Sequence, residues 1–385
     1  MTLTRFVRKN AFRNKRRTFL TVFSIAFSLL LLSFLMSVWR AFYGDDLRTA
    51  QSAQRLITRH KVSLANFIPG YYREKIRTIP GVVHVLPVNW FQGIYRDQKP
   101  ENFFARFGTD PDEFFDTYTE LSMPQDQADA WRKDRAGAVA DSALAKKYGW
   151  KIGDKIVITG DIYPVKLELT LRGIFTSPLP NNALYFNWKY VEEGVAFAKG
   201  HAGTFGIMVD SPNHVDQVAA AVDQMFANAP EPTKTETEKA FQLSFISMLG
   251  NVKAFILVIS LAAVFTILLV SGNTMAMSIR ERTREVAVLK TLGFQRQTIL
   301  GVFIGEAVVI ALAGGILGTL VSWPLLFGMS KAPQMGGLFL IAAKEWTRVA
   351  PISWGVAALS GFLSSAIPAY GASRTNIVQG LRHIG

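Results

Sequence analysis

The stretch KAFILVISLAAVFTILLVSGNTMAMS, Lys253–Ser278, carries no charged side chain after its first residue. A hydrocarbon core of about 30 Å is crossed by about 20 helical residues of this kind. Lipid offers no hydrogen bonds to the backbone, so such a stretch has to satisfy its own N–H and C=O groups as a helix. Three further runs meet the same standard: Thr18–Arg40, Ile299–Phe327 and Val349–Tyr370. Between the first two spans lie residues 41–251, of ordinary mixed composition, which read as a folded domain outside the membrane. The expected fold class is an α-helical membrane protein with four transmembrane helices, plus an extracytoplasmic α+β domain inserted between helices 1 and 2.

The charge pattern supplies an orientation. The 385 residues carry a net +13, and +7 of it comes from residues 1–17. Residues 278–297 add +3 and Arg374 and Arg382 add +2, whereas residues 41–251 set 23 Lys and Arg against 25 Asp and Glu. Basic clusters beside membrane spans stay in the cytoplasm. Both termini are therefore expected inside, with residues 41–251 and 328–348 outside. Nucleic acid is not an expected partner, because the basic residues flank spans instead of covering a soluble face. Trp39, Tyr43, Trp323, Trp346 and Trp354 fall near the outer boundaries, where amphipathic rings prefer to sit. Arg40 and Lys253 lie there too and are expected to snorkel.

The resulting order is an amphipathic interface helix (1–17), span one (18–40), the extracytoplasmic core domain with its stalk (41–251) and span two (252–278). A cytoplasmic segment (279–298), span three (299–327), an outer loop (328–348), span four (349–370) and a cytoplasmic tail (371–385) follow. Span one is too long for a signal peptide and lacks a small-residue cleavage site, so it reads as a retained anchor. Within the inserted domain, alternation predicts strands at Val82–Leu86, Phe103–Phe107, Lys155–Thr159, Val165–Ile174 and Thr204–Val209. Helical spacing predicts Tyr71–Thr78, Gln125–Lys133, Ser142–Tyr148 and Val215–Ala227. The polar, proline-containing residues 228–239 read as a linker or the base of a stalk.

Chemistry-bearing motifs are sparse. The chain has no cysteine, no GxxxxGK[ST] phosphate loop, no HExxH and no GxSxG, and its five histidines are scattered. No catalytic, cofactor-binding or metal-ligating residue is assigned. Glu306 is the acid placed well inside a span, where it serves a proton relay or pairs with a buried base or, more simply, makes a hydrogen bond that fixes helix packing. Gly301 and Gly305, and again Gly314 and Gly318, stand four apart, a spacing that lets helix backbones approach closely. One pair is expected to pack within the subunit and the other against a second chain. The segment Met277–Phe294 reads as a short cytoplasmic helix. Val288, Leu289 and Leu292 make an apolar knob, Arg280–Arg284 and Lys290 ring it with charge, and Gly293 suits a left-handed C-cap. Such a helix fits a groove in a cytoplasmic partner, and equally a hairpin lying on the membrane surface.

The residues RTREVAVLKTLGF (Arg282–Phe294), followed by the glutamate-containing span with its GGILG (Gly314–Gly318), resemble the permease signature of the MacB/FtsX superfamily, the type VII ABC systems. Lys9–Leu20 resembles the family's basic first helix, Ile367–Leu381 its closing stretch, and Gly137–Ile156 with Leu171–Phe175 its periplasmic core module. The resemblance implies a permease dimer, homo- or heteromeric, in the bacterial inner membrane. Cytoplasmic ABC ATPase subunits, which would carry ATP and Mg, would dock on Glu281, Arg284, Glu285, Val288, Leu289, Leu292, Gly293 and Phe294. The ATPase is expected on another polypeptide and no enzyme activity on this chain. Motion passed to the periplasmic domain would expel or extract a lipid, lipoprotein, peptide or drug, extended in some systems by a periplasmic adaptor and an outer-membrane channel. An FtsX-like alternative transports nothing and regulates a periplasmic partner such as a cell-wall hydrolase. A membrane-tethered enzyme or sensor is the third class.

Overall fold

The computed structural model describes residues 14–44, 52–178, 182–248, 250–332 and 336–374. Two compact units divide the chain, residues 1–44 with 251–385 and residues 45–250. Helix α1 (Lys15–Tyr43) opens the first unit. The second unit holds strands β1 (Arg55–His60), β2 (Ile68–Pro69), β3 (Val82–Trp90), β4 (Gly93–Ile94), β5 (Ala105–Thr109), β6 (Gly137–Asp141), β7 (Lys155–Gly160), β8 (Lys166–Phe175), β9 (Ala183–Asn187), β10 (His201–Ala202), β11 (Thr204–Val209) and β12 (Thr233–Thr237). Its helices are α2 (Tyr72–Arg77), α3 (Phe114–Thr117), α4 (Gln125–Lys133), α5 (Ser142–Tyr148), α6 (Lys189–Gly194), α7 (Val215–Met225) and α8 (Glu238–Met248). The chain returns to the first unit through α9 (Val252–Glu281), α10 (Thr283–Thr291), α11 (Arg296–Met329) and α12 (Gly336–Arg374).

Helices α1, α9, α11 and α12 are each long and apolar enough to cross a membrane. Phe19, Phe23 and Phe27 along α1, and Leu257, Leu261 and Phe265 along α9, are exposed. A run of such side chains suits a lipid solvent and would be untenable in water. The bundle core joins Ile25 and Leu29 of α1 to Ile267 of α9, Ile310 of α11 and Ala357 of α12. Since lipid tails are as apolar as these side chains, close approach and polar contacts have to bring the helices together. Both are present. A Cβ added at Gly314 would stand 2.7 Å from Ile25 Cγ2, and one at Gly318 would stand 2.8 Å from Leu30 N. Ser364 Oγ donates to Ser271 Oγ at 2.8 Å, and the Thr21 and Thr274 hydroxyls lie 3.3 Å apart.

Helix α12 corrects the expected outer loop, because it begins at Gly336 and not at Val349. Phe339, Ala342 and Ala343 are buried with Leu326 of α11, and Trp346 and Phe34 pack on the same cluster. That is one face of a helix at positions three and four apart. Lys344, Glu345 and Arg348 depress the hydropathy of this turn and disguised it as loop. The amphipathic helix expected over 1–17 lies outside the described residues as far as residue 13, as does the tail beyond 374.

The inserted domain is α+β. Its ten-stranded sheet runs β12-β1-β11-β3-β5-β9-β6-β8-β7-β4, with β5–β9 and β6–β8 parallel and the other pairs antiparallel. Helices Gln125–Lys133 and Ser142–Tyr148 fall on the expected residues. Strands β6 and β9 were not expected: every residue of each is buried, so they lack the alternation of a half-exposed strand. Residues 228–239 are corrected in part, since Thr233–Thr237 is an edge strand paired with β1 over five residues. Its threonines, lysine and glutamate read as linker because an edge strand leaves the backbone groups of its outer edge to water.

Candidate functional site

Helix α9 ends at Glu281, and Arg282, with φ −111° and ψ 13°, breaks it into α10. Helix α10 stops in a Schellman arrangement. Phe294 N donates to Leu289 O and Gly293 N to Lys290 O, both at 3.1 Å, with Gly293 at φ +85°. An L side chain at that φ is disfavoured, so Gly293 fixes the turn into α11.

One face of α10 is locked to the bundle. Val286 is buried with Ile299, Phe303 and Ala307 of α11 and Ala369 of α12, and Leu289 packs against the same cluster. Between α10 and α11 Leu289 also lines a small cavity with Arg282 and Val302. On the opposite face Arg284 and Glu285 are exposed, and so are Val288, Leu292 and Phe294, with Leu292 at 69%. The expected knob is therefore corrected in composition: Leu289 belongs to the inner face, and the outward apolar group is Val288, Leu292 and Phe294.

The junction is held by ions. Arg282 Nη1 donates to Glu306 Oε2 at 2.7 Å, and both residues are buried. Arg282 Nε also lies 3.4 Å from Glu285 Oε2, and its guanidinium carbon stands 5.9 Å from the Phe303 ring centre. The pair thus joins the α9–α10 turn to α11. The neighbouring Glu281 accepts from Arg17 Nη1 of α1 at 2.6 Å, and Arg17 Nη2 donates to Ser278 Oγ at 3.1 Å. Two consecutive residues of opposite charge therefore bind two different helices. Outside the spans, burial and the charge of Arg296 pull the Lys290 ammonium below its ordinary range.

The other end of the bundle has a similar pair. Arg40 Nε donates to Glu345 Oε2 at 2.7 Å, with Glu345 4% exposed and Arg348 on its second oxygen at 3.3 Å. Arg40, expected to snorkel, is instead the counter-charge of a buried acid. Trp354 Nε1 donates to Thr319 Oγ1 at 2.9 Å, and Trp346 Nε1 to Thr319 O at the same distance. These two tryptophans tie α12 to α11. Arg17, Arg40 and Glu345 were missed as site residues; the signal was an acid inside an apolar helix, which requires a cation from a neighbouring one.

Of the glycines assigned to packing or a dimer seam, Gly314 and Gly318 face α1 of the same chain, and nothing lies within 4 Å of a Cβ built at Gly301. Among the described residues no cluster of His, Cys, Asp or Glu has metal-binding geometry.

Comparison with known proteins gives two family matches. Residues 18–225, more than half the chain, match the MacB-like periplasmic core domain, and residues 239–377 match the FtsX-like permease C-terminal family. A macrolide export ATP-binding/permease protein MacB of Bdellovibrio bacteriovorus is 25% identical over 195 residues, 49% of this chain and 29% of that protein. An uncharacterized ABC transporter permease of Methanocaldococcus jannaschii is 28% identical over 169 residues, 43% of this chain and 41% of its own length. The uncharacterized ABC transporter permease YvrN of Bacillus subtilis is 32% identical over 148 residues, 38% and 32% of the two chains. The matched regions thus span less than half of each of these relatives.

Proposed function

The chain belongs to the MacB/FtsX-like ABC transporter permeases, and on that premise we propose that it is the permease subunit of an export or extrusion system driven by a separate ATPase. The observation that carries this reading is the two-sided helix α10. Its inner face is fixed to α11 and α12, and its outer face presents Val288, Leu292 and Phe294 beside Arg284 and Glu285. An exposed apolar group rimmed by charge on a rigidly seated helix fits a groove in a partner protein.

In this reading the basic ends of the spans set both termini and α10 in the cytoplasm. ATP and Mg²⁺ are bound by the partner, which pushes α10. The push reaches α1 through Arg17–Glu281 and α11 through Arg282–Glu306. A second permease chain completes the assembly, and the inserted domain handles a lipid, lipoprotein, peptide or drug, passed on where present to an adaptor and an outer-membrane channel. Similarity to a protein named for macrolide export supports the drug class.

The test is recovery of a P-loop ATPase with the tagged chain from gently solubilised membranes, compared with Leu292→Asp. Leu292 makes few contacts of its own, so the substitution leaves folding intact while placing a charge in the docking groove. Loss of the ATPase from the variant supports the reading. A chain that never brings down an ATPase, or a variant that retains it fully, refutes it.

A further inference from the structure

Helices α11 and α12 form a cleft of about 230 Å³ at the end of the bundle that carries α10. Its lining is Arg296, Gln297 and Leu300 from the start of α11, with Tyr370, Ser373 and Arg374 from the end of α12. Stacking holds Arg374 in place, its guanidinium carbon 4.5 Å from the Tyr370 ring centre. Both arginines are exposed, and among the described residues neither forms an ion pair. Residues 375–385, which follow Arg374, contain no Asp or Glu, and neither do residues 1–13. Lys290 of α10 adds to the surplus of positive charge. Burial, and after it the charge of Arg296, holds that ammonium below its ordinary range.

We propose that this cleft holds the phosphate of an anionic membrane lipid on Arg296 and Arg374, with an acyl chain running along the bundle past Gly301. Depth selects a lipid over a solute. Arg296 precedes the apolar run Ile299–Phe327 by three residues, and Arg374 follows the run Val349–Tyr370 by four. At about 1.5 Å of helix per residue, each charge stands within about 6 Å of the hydrocarbon edge. The headgroup layer on each side of a bilayer is about 5–8 Å deep, so both guanidiniums fall at the level of lipid phosphates. A guanidinium donates parallel N–H bonds to phosphate oxygens, and two arginines on one cleft can share such a group. Gln297 adds an amide that can donate beside them. Beyond the charges the surface is apolar. Leu363, Ile367, Tyr370 and Arg374 follow one another at four, three and four residues along one face of α12, and the first three are exposed. On α11 Gly301 lies one turn past Gln297 on the same face, and the empty space at its Cβ position leaves room for a chain. A free phosphate would engage the arginines and leave this apolar path unused. With the orientation proposed above, the lipid belongs to the cytoplasmic leaflet, which is rich in anionic headgroups.

The test uses the full chain in a maltoside detergent and reads the shift in Tm with three probes: dioctanoyl phosphatidylglycerol, dioctanoyl phosphatidylcholine and glycerol 3-phosphate. The anionic lipid at about 100 times Kd should raise Tm by roughly 5–10 °C, and the other two at the same concentration by less than half as much. Arg296→Gln combined with Arg374→Gln should abolish the shift and, without lipid, melt no lower than the parent, because the charges removed have no ion pair. Lys15→Gln combined with Arg16→Gln takes the same charge from exposed positions of α1 that do not line the cleft, and should keep the full shift. Gly301→Leu keeps both arginines but fills the path of the chain, so affinity for the anionic lipid should fall at least fivefold. An equal shift from the zwitterionic lipid, a shift retained without the two arginines, or an equal loss in the Lys15 and Arg16 variant would overturn the site. Glycerol 3-phosphate acting as strongly as the anionic lipid, or full lipid affinity in Gly301→Leu, would overturn the lipid as its source. Binding is read on the chain alone, so this outcome is separate from recovery of an ATPase in the pull-down.

Discussion

Removing the Glu306 carboxylate should loosen the α9–α10 turn without unfolding the bundle, and the size of the effect can be worked out. Arg282 and Glu306 are 2.7 Å apart, with side chains 9% and 3% exposed. Two unit charges about 4 Å apart attract by about 4 kcal/mol at an effective dielectric of 20. Desolvation has already cost much of that, so the pair contributes little net stability over an apolar pair of the same shape. Breaking it is different. In Glu306→Ala the guanidinium stays buried with the half-exposed Glu285 at 3.4 Å as its remaining acid. A buried charge stripped of its partner costs about 3–5 kcal/mol, and Glu285 places the cost near the lower figure.

The assay is a double-mutant cycle on the solubilised chain. Glu306→Ala should lower Tm by roughly 6–12 °C, from about 3 kcal/mol at 2–4 °C per kcal/mol. Arg282→Met alone should cost a similar amount. The double variant Arg282→Met with Glu306→Leu should recover most of the loss, since an apolar pair replaces an ionic one. In the ATPase complex the double variant should hydrolyse ATP but fail to pass motion on, because the link between α10 and α11 has become slack. Additive losses in the double variant, or a Glu306→Ala melt within a degree of the parent, would refute the reasoning.

Three further outcomes are expected. Gly318→Ala should destabilise the bundle because its Cβ meets the backbone of Ala26 and Leu30, whereas Gly301→Ala should leave the melt unchanged; paired thermal melts check this. Arg55 is 2% exposed and held by both Glu120 oxygens (2.6 and 2.8 Å) and by Glu238 of α8 at 2.9 Å. Arg55→Met should therefore cost about 3–5 kcal/mol and free the start of α8, read as faster amide exchange over residues 238–248. Tyr163 is pushed by burial up to about 12, so its neutral form is favoured in the folded domain. Stability present below the ordinary tyrosine range should then be lost as pH rises from about 10 through about 12. Absorbance titration should show one late-ionising tyrosine fewer in Tyr163→Phe than in the parent.

The four apolar helices and the short helix α10 with its glycine stop were legible because each rests on local pattern. An uncharged run of helical length and an apolar stripe ending at a left-handed glycine can be read without knowing any neighbour. What escaped reading depends on neighbours. Strand β1 begins with Arg55, which looks exposed until Glu120 and Glu238 close on it. The first turns of α12 hold Glu345, which looks like loop until Arg40 neutralises it. Leu289 and Leu292 are alike in sequence, and only the packing of α11 puts one inside and leaves the other out.

The ion pairs also say how a displacement of α10 would divide. Glu281 and Arg282 are adjacent, so their backbones move together, yet one is tied to α1 and the other to α11. The two ties differ in strength. Glu281 is half-exposed and Arg17 partly so, which lets water replace either partner at small cost. The Arg282–Glu306 pair is buried, and separating it strands a charge. Under load the α1 tie should yield first, so α11 follows α10 while α1 slides. Raising salt should therefore weaken the Arg17–Glu281 link selectively. Cross-linking between cysteines placed at Ser278 and Thr18 should fall with salt, while cross-linking between positions 283 and 303 should not. Equal salt sensitivity at the two positions would show that the turn moves as one rigid piece with both helices.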